Sequence, residues 1–206
     1  MNLRTALLAL AVLGPALASP EPRAATAASL TPGVTVTVKP GPDGLEIEGR
    51  CRLRAMPAAA WAVLTDYEAI PEFVTSMRES RVTERASDHL LVEQAAVGRL
   101  FLFSRRLKTV LLVHEEPPGL IRFEDVLGRD FSTYRGSWRI EGDPDGDEVE
   151  IVYELVAKPA FSIPDVVARG AFKRTVRNLI AEVGGEIERR AEQAGLEGLR
   201  KLSWTP

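Results

Sequence analysis

Arg105 sits in a run of Phe101, Phe103, Arg105, Leu107, Thr109, Leu111 and Val113, whose alternation places all seven on one strand face. If that face is interior, an unpaired guanidinium there is costly. It must then pair with a carboxylate, Asp125 or Glu93, or meet the polar head of a ligand. The other reading is a bulge at Ser104 that turns it outward. Asp125, Tyr134 and Arg105 are the one set that could supply acid, base and electrostatic stabilisation inside a cavity. Elsewhere the chemistry is sparse. His89, at a turn–strand junction, and His114, at a strand end, have no Ser, Cys or Asp partner at a catalytic spacing and read as surface residues. One cysteine, Cys51, leaves no disulfide framework or Cys-rich zinc site, so no metal and no cofactor is expected. A formal net charge of -3 does not point to a nucleic-acid partner.

These residues need elements to hold them. Val34–Val38 and Leu45–Leu53 alternate apolar and polar positions around the turn Pro40-Gly41-Pro42-Asp43-Gly44, which predicts a hairpin. Pro57 to Leu64 has good helix formers with proline in the first turn. Asp66 fits an N-cap for a second short helical stretch, Tyr67 to Val74, that Pro71 keeps short. The period then becomes two. Strands are predicted at Arg78–Arg85, His89–Val97, Phe101–Glu115, Leu120–Leu127, Ser132–Glu141 and Glu148–Ala157. The breaks between them are too short for parallel crossovers, so this is an antiparallel meander.

Pro164 and Asp165 open the last element. Ala168, Phe172, Val176, Leu179, Val183, Ile187 and Ala191 recur at steps of three and four, one face of a long amphipathic helix reaching about Gln193. The pair Gly184-Gly185 inside it suggests close approach to the sheet, or a kink. Arg169, Lys173, Arg174 and Arg177 near its start read as a solvated face, or as a patch that meets anionic lipid headgroups. A sheet with one apolar face must be covered, and only this helix is large enough. A curled sheet is wider than a helix of about 10–12 Å diameter, so a gap remains between them. Such gaps are natural small-molecule sites. Phe101, Phe103, Phe123, Tyr134, Trp138, Tyr153 and Phe172 fall on these strands or on the helix stripe, and serve either as ordinary core or as cavity lining.

The stretch Trp61-Ala62-Val63-Leu64-Thr65-Asp66-Tyr67-Glu68-Ala69-Ile70-Pro71-Glu72-Phe73 resembles the W-x-V-L-T-D-Y-x-x-x-P-x-F segment of the START-like, polyketide cyclase/dehydrase superfamily. Tyr134–Ile140 is similar to its G-x-W strand, and Val149–Val156 to the Y-x-L strand before its final helix. Within that superfamily the chain resembles the coenzyme Q-binding START-like proteins. The resemblance spans about Leu45 to Ala194 and implies an α+β helix-grip fold: a curved antiparallel sheet, two short helices and a long C-terminal helix over an apolar cavity. It implies lipids, isoprenoid quinones, sterols or polyketides as ligands. It does not imply an activity, because carriers and cyclases share this fold.

The domain reading follows. Met1–Ala18 has a short basic start, an apolar run too short to span a bilayer and a small-x-small end, the pattern of a secretory signal peptide. Residues 19–32 read as a flexible leader, 33–196 as the helix-grip domain and 197–206 as a C-terminal tail. The expectation is an exported, periplasmic or secreted protein that binds an apolar small molecule, with Phe73, Phe101, Phe103, Arg105, Phe123, Tyr134, Trp138, Tyr153, Phe172, Val176, Leu179 and Val183 lining the site. Transient contact with a membrane surface goes with that reading. The alternative is a cyclase or aromatase working through Asp125, Tyr134 and Arg105 in the same cavity.

Overall fold

The computed structural model describes residues 33–100 and 103–203, and the side chains of these outside 99–104 and 198–203. Strands β1 (Thr35–Gly41) and β2 (Gly44–Leu53) form the hairpin, joined at Gly44, whose φ of 133° no side chain adopts readily. Helix α1 (Pro57–Leu64), a 3-10 turn (Tyr67–Ala69) and the one-turn helix α2 (Ile70–Phe73) follow. The meander comprises β3 (Met77–Arg85), β4 (Leu90–Leu100), β5 (Phe103–Glu116), β6 (Leu120–Asp125), β7 (Phe131–Glu141) and β8 (Val149–Pro159). Helix α3 (Asp165–Ser203) closes the chain.

All eight strands make one antiparallel sheet in the order β1-β2-β8-β7-β6-β5-β4-β3. This is the α+β helix-grip architecture expected from the sequence. The convex face is held by an ion-pair ladder: Arg50 meets Glu48 at 2.6 Å and Glu150 at 3.1 Å, and Arg139 meets Glu154 at 3.4 Å. The concave face is apolar, with Ile47, Cys51, Val92, Val113, Ile121, Ile151, Tyr153 and Leu155 all buried.

Helix α3 crosses that concave face and packs on β1, β2 and α1. Ile180 is fully buried there, over Gly49 of β2. A Cβ on Gly49 would collide with the Ile180 Cδ1 atom, so the absence of a side chain sets how closely the helix can approach. Gly184 does the same from the helix side: a Cβ there would lie 2.9 Å from Leu53. Close packing is therefore the reason for Gly184, while a Cβ on Gly185 would meet nothing and packing does not explain that residue. Polar ties reinforce this end. The Thr75 hydroxyl donates to Glu182 at 2.5 Å, and Arg190 reaches Asp66 at 2.8 Å.

Three expectations need correction. Asp66 makes no side-chain cap; its carboxylate is taken by Arg190, a charged donor that outcompetes a neutral N–H. Helix α3 runs to Ser203, ten residues past the expected end and into the range read as a tail. Residues 194–197 of the excess are exposed, but Ala194, Leu196, Glu197, Leu199, Arg200, Lys201 and Leu202 favour helix and outweigh Gly195 and Gly198. No bulge occurs at Ser104: the β4–β5 ladder is continuous from Leu100↔Phe103 to Leu90↔Val113, so Arg105 stays on the concave face.

Candidate ligand cavity

Beside the packed face of α3, two adjoining chambers lie between the helix and the sheet. The outer one, about 150 Å³, lies between β4, β5, β7, β8 and the first four turns of α3. The inner one, about 110 Å³, lies beneath α1 and α2. Met77, Gln94, Tyr134, Tyr153 and Leu179 border both and form the waist between them. At about 30 Å³ of liquid volume per water, the outer chamber alone has room for several waters. Its walls give that water few partners, because most are Ala, Val, Leu, Ile, Phe and Pro.

The structure brings together most of the residues singled out by sequence. Arg105, Tyr134, Tyr153, Phe172, Val176 and Leu179 line the outer chamber. Phe73, Phe123, Tyr134, Trp138, Tyr153, Leu179 and Val183 line the inner one. The aromatic rings interlock: Phe123 stacks on Tyr153 with centroids 6.0 Å apart, Trp138 meets Tyr153 at 4.5 Å, and Phe131 meets Tyr134 at 4.7 Å. Gly136 permits this, since a Cβ there would sit 2.8 Å from the Phe123 ring. Phe101 lies outside the described residues, as does the side chain of Phe103.

Burial holds the hydroxyl of Tyr134 above the ordinary tyrosine range and that of Tyr153 well above it, with the Tyr134 hydroxyl adding to the shift at Tyr153. Both therefore stay protonated at neutral pH. Tyr67 is treated likewise: burial, then its hydrogen bond to Glu115 at 2.7 Å, raise its pKa. Protonated phenols can orient an acceptor oxygen but are poor bases.

Arg105 stands at the mouth of the outer chamber, its side chain half exposed. Its partner is neither Asp125 nor Glu93 but Asp130, at 3.2 Å. Glu93 is engaged by Arg81 at 2.6 Å. Asp125 accepts from the backbone amides of Val110, Leu127 and Gly128 at 2.9, 3.1 and 3.2 Å, so it organises the β6–β7 turn. The proposed acid–base set is thus not assembled: Asp125 does not line the cavity. His89 and His114 share Asp88, one through its side chain and one through its carbonyl, each at 2.9 Å, and neither lines the cavity.

Sequence reasoning missed Asp130, Phe161, Gln94 and Met77. Asp130 and Phe161 lie in connections, and no periodicity points into a cavity from a turn. Gln94 was readable in principle, as the polar residue on the β4 face that carries Leu90 and Val92. Among the described residues no three His, Cys, Asp or Glu side chains gather as a metal site requires, and no helix is long and apolar enough to cross a membrane.

The comparisons agree with this geometry. Residues 53–183 match the family model of polyketide cyclase / dehydrase and lipid transport proteins, and the chain belongs to that family. Among solved structures it is similar to a STAR-related lipid transfer protein from Xanthomonas axonopodis (20% identity, TM-score 0.57, covering 75% of this chain and 93% of that one). It is also similar to the Zhui aromatase/cyclase of a Streptomyces species (15%, 0.58, 72% and 93%) and to human StAR-related lipid transfer protein 5 (12%, 0.61, 76% and 83%). At these identities the likeness shows the fold. Among curated proteins, none matches this chain in sequence. Family and fold together define a protein built to hold a hydrophobic small molecule.

Proposed function

We propose that this protein is a non-catalytic binder of an apolar small molecule, a lipid or an isoprenoid quinone, held beneath α3. The observation that carries the reading is the two-chambered, apolar-walled cavity with no carboxylate or histidine on its described lining. A catalyst working by proton transfer would need a group titrating near neutrality, and the cavity's tyrosines are shifted away from it. Native mass spectrometry of gently purified protein, followed by uptake from a panel of isoprenoid quinones and lipids, tests the reading. A bound apolar mass or saturable uptake is expected; neither appearing would overturn it.

The cyclase or aromatase alternative keeps one favouring observation: Arg105, Tyr134 and Tyr153 do share one cavity. Turnover of a supplied polyketone, lost in Tyr134→Phe, would establish it in place of the carrier.

Two further features support a setting outside the cytoplasm, near lipid. The Met1–Ala18 pattern, which lies outside the described residues, favours export with cleavage after Ala18; the mass of the protein recovered from a native-like host decides it. Arg169, Lys173, Arg174 and Arg177 are exposed on the turns of α3 that border the outer chamber. The helix dipole fades beyond the first turn, so it gives no reason for cations at these positions. We propose that they meet anionic headgroups; co-sedimentation with anionic but not zwitterionic vesicles is the expected result.

A further inference from the structure

Arg105 is the one charged side chain on the described lining of either chamber, and its surroundings fix what it can recognise. Its guanidinium lies over the Phe161 ring, 4.4 Å from the centroid, and one edge is bound through Nη2 to Asp130. Asp130 is 3% exposed. Its other oxygen accepts the Lys108 amide at 2.9 Å, so the carboxylate cannot turn away. Burial works against ionising Asp130, but the Lys108 amide and Arg105 more than offset it, and the carboxylate is held below its usual range. Arg129 adds the smallest contribution, and it is exposed, where water screens its charge. Among the described residues, Nε and Nη1 of Arg105 have no protein partner.

A lone arginine at an apolar mouth would favour a carboxylate or phosphate head. This arginine is already neutralised by a buried acid that cannot leave. An incoming carboxylate would gain donors that are partly spent and would face the fixed negative charge of Asp130. An uncharged carbonyl oxygen would take the remaining N–H groups without that repulsion. We infer that the Arg105–Asp130 pair is a polarity filter that selects an uncharged, carbonyl-bearing hydrophobe over an anionic amphiphile of the same chain. The inference rests on the cavity being a ligand site, and it adds the chemical class of the ligand's outer end.

Matched probes test it on the full chain: methyl decanoate and decanoate, each titrated at neutral pH by displacement of an environment-sensitive dye. Asp130→Asn should tighten decanoate about tenfold, the worth of uncovering a charge-assisted hydrogen bond, and leave the ester within about twofold. Arg105→Gln, which keeps an amide donor for Asp130, should weaken the ester several-fold and weaken decanoate further. If Asp130 serves only to hold the turn, its replacement lowers both affinities together, and that result overturns the filter. So does an unchanged ester-to-decanoate ratio in Arg105→Gln, which decides the matter should Asp130→Asn not fold. Saturable binding of both probes without these shifts would sink the filter and leave the carrier reading standing. No uptake of either probe, alongside no bound lipid in the native protein, would sink both.

Discussion

Leu179 and Ile180 are neighbours on α3, yet they live in different materials. Ile180 is fully buried in solid packing, pressed into the place that Gly49 leaves open on β2. Leu179, one step of about 100° around the helix, is half-buried and borders both chambers of the cavity. The same division runs along the helix, with Phe172, Val176, Leu179 and Val183 lining the chambers and Ile180 and Gly184 set against β2. One helix is thus fastened along one face and roofs empty space along the other. Burial alone does not tell the two apart: Val176, at 2% exposed, also lines the cavity.

The contrast can be broken by substitution. The largest effect is expected at Ile180→Ala, which removes a side chain from a fully packed site and should cost about 2–5 kcal/mol in urea denaturation. Gly49→Ala attacks the same contact from the sheet, driving a Cβ into Ile180; a loss of about 1–3 kcal/mol is expected, with α3 lifted from β2. Leu179→Ala enlarges a void that already exists. It should cost less than about 2 kcal/mol in ligand-free protein while weakening uptake of an apolar ligand, whose lost contact is worth about 25 cal/mol per Å². A loss equal to that of Ile180→Ala would mean the cavity face is as solid as the packed one.

A smaller effect concerns the polar fastening. The hydrogen bond from Arg189, and then that from Arg190, hold Glu186 below the ordinary glutamate range despite its burial. A carboxylate with a lowered folded pKa adds stability that is complete above its unfolded value and is lost as pH falls through the folded one. Acid titration of wild type should therefore lose stability below the ordinary glutamate range, and Glu186→Gln should flatten that slope. An unaltered slope would remove Glu186 from the fastening. The smallest effect is at Cys51, 1% exposed beneath α3 and with its thiol pushed up to about 11 by burial. It should react with thiol reagents only at the rate of global unfolding, and Cys51→Ser labelling controls set the background.

The fold was largely legible because alternation and turn chemistry report it directly. The Asp165 helix start and the β2 end at Leu53 fall where the sequence places them, and the other strand ends within a few residues. The candidate site was legible where it uses regular elements: Tyr134 and Trp138 share a face of β7 by period alone, and the strand register brings Phe123 and Tyr153 beside them. It failed where a side chain's task depends on another segment. Asp125 and Asp130 are both acids beside turns, and nothing local says that one ties backbone amides and the other neutralises Arg105. Ile180 was missed because the steps of three and four pass through Leu179, and the wider stripe that includes both needs the depth of the Gly49 notch to be seen.

The strand order carries a consequence for synthesis. From β3 to β8 every pairing joins consecutive strands, so that part of the sheet can zip as the chain emerges. The hairpin β1–β2 cannot: among the described strands its one other neighbour is β8, and Arg50 and Glu150, bonded across that junction, lie 100 residues apart. A two-stranded hairpin is marginal alone in water, and long loop closure is slow. Helix α3 in turn seats on β1 and β2, so the roof waits for the first strands to be captured by the last. The cavity comes into being only when the two ends of the domain meet, and until then its apolar floor lies open to whatever escorts the nascent chain.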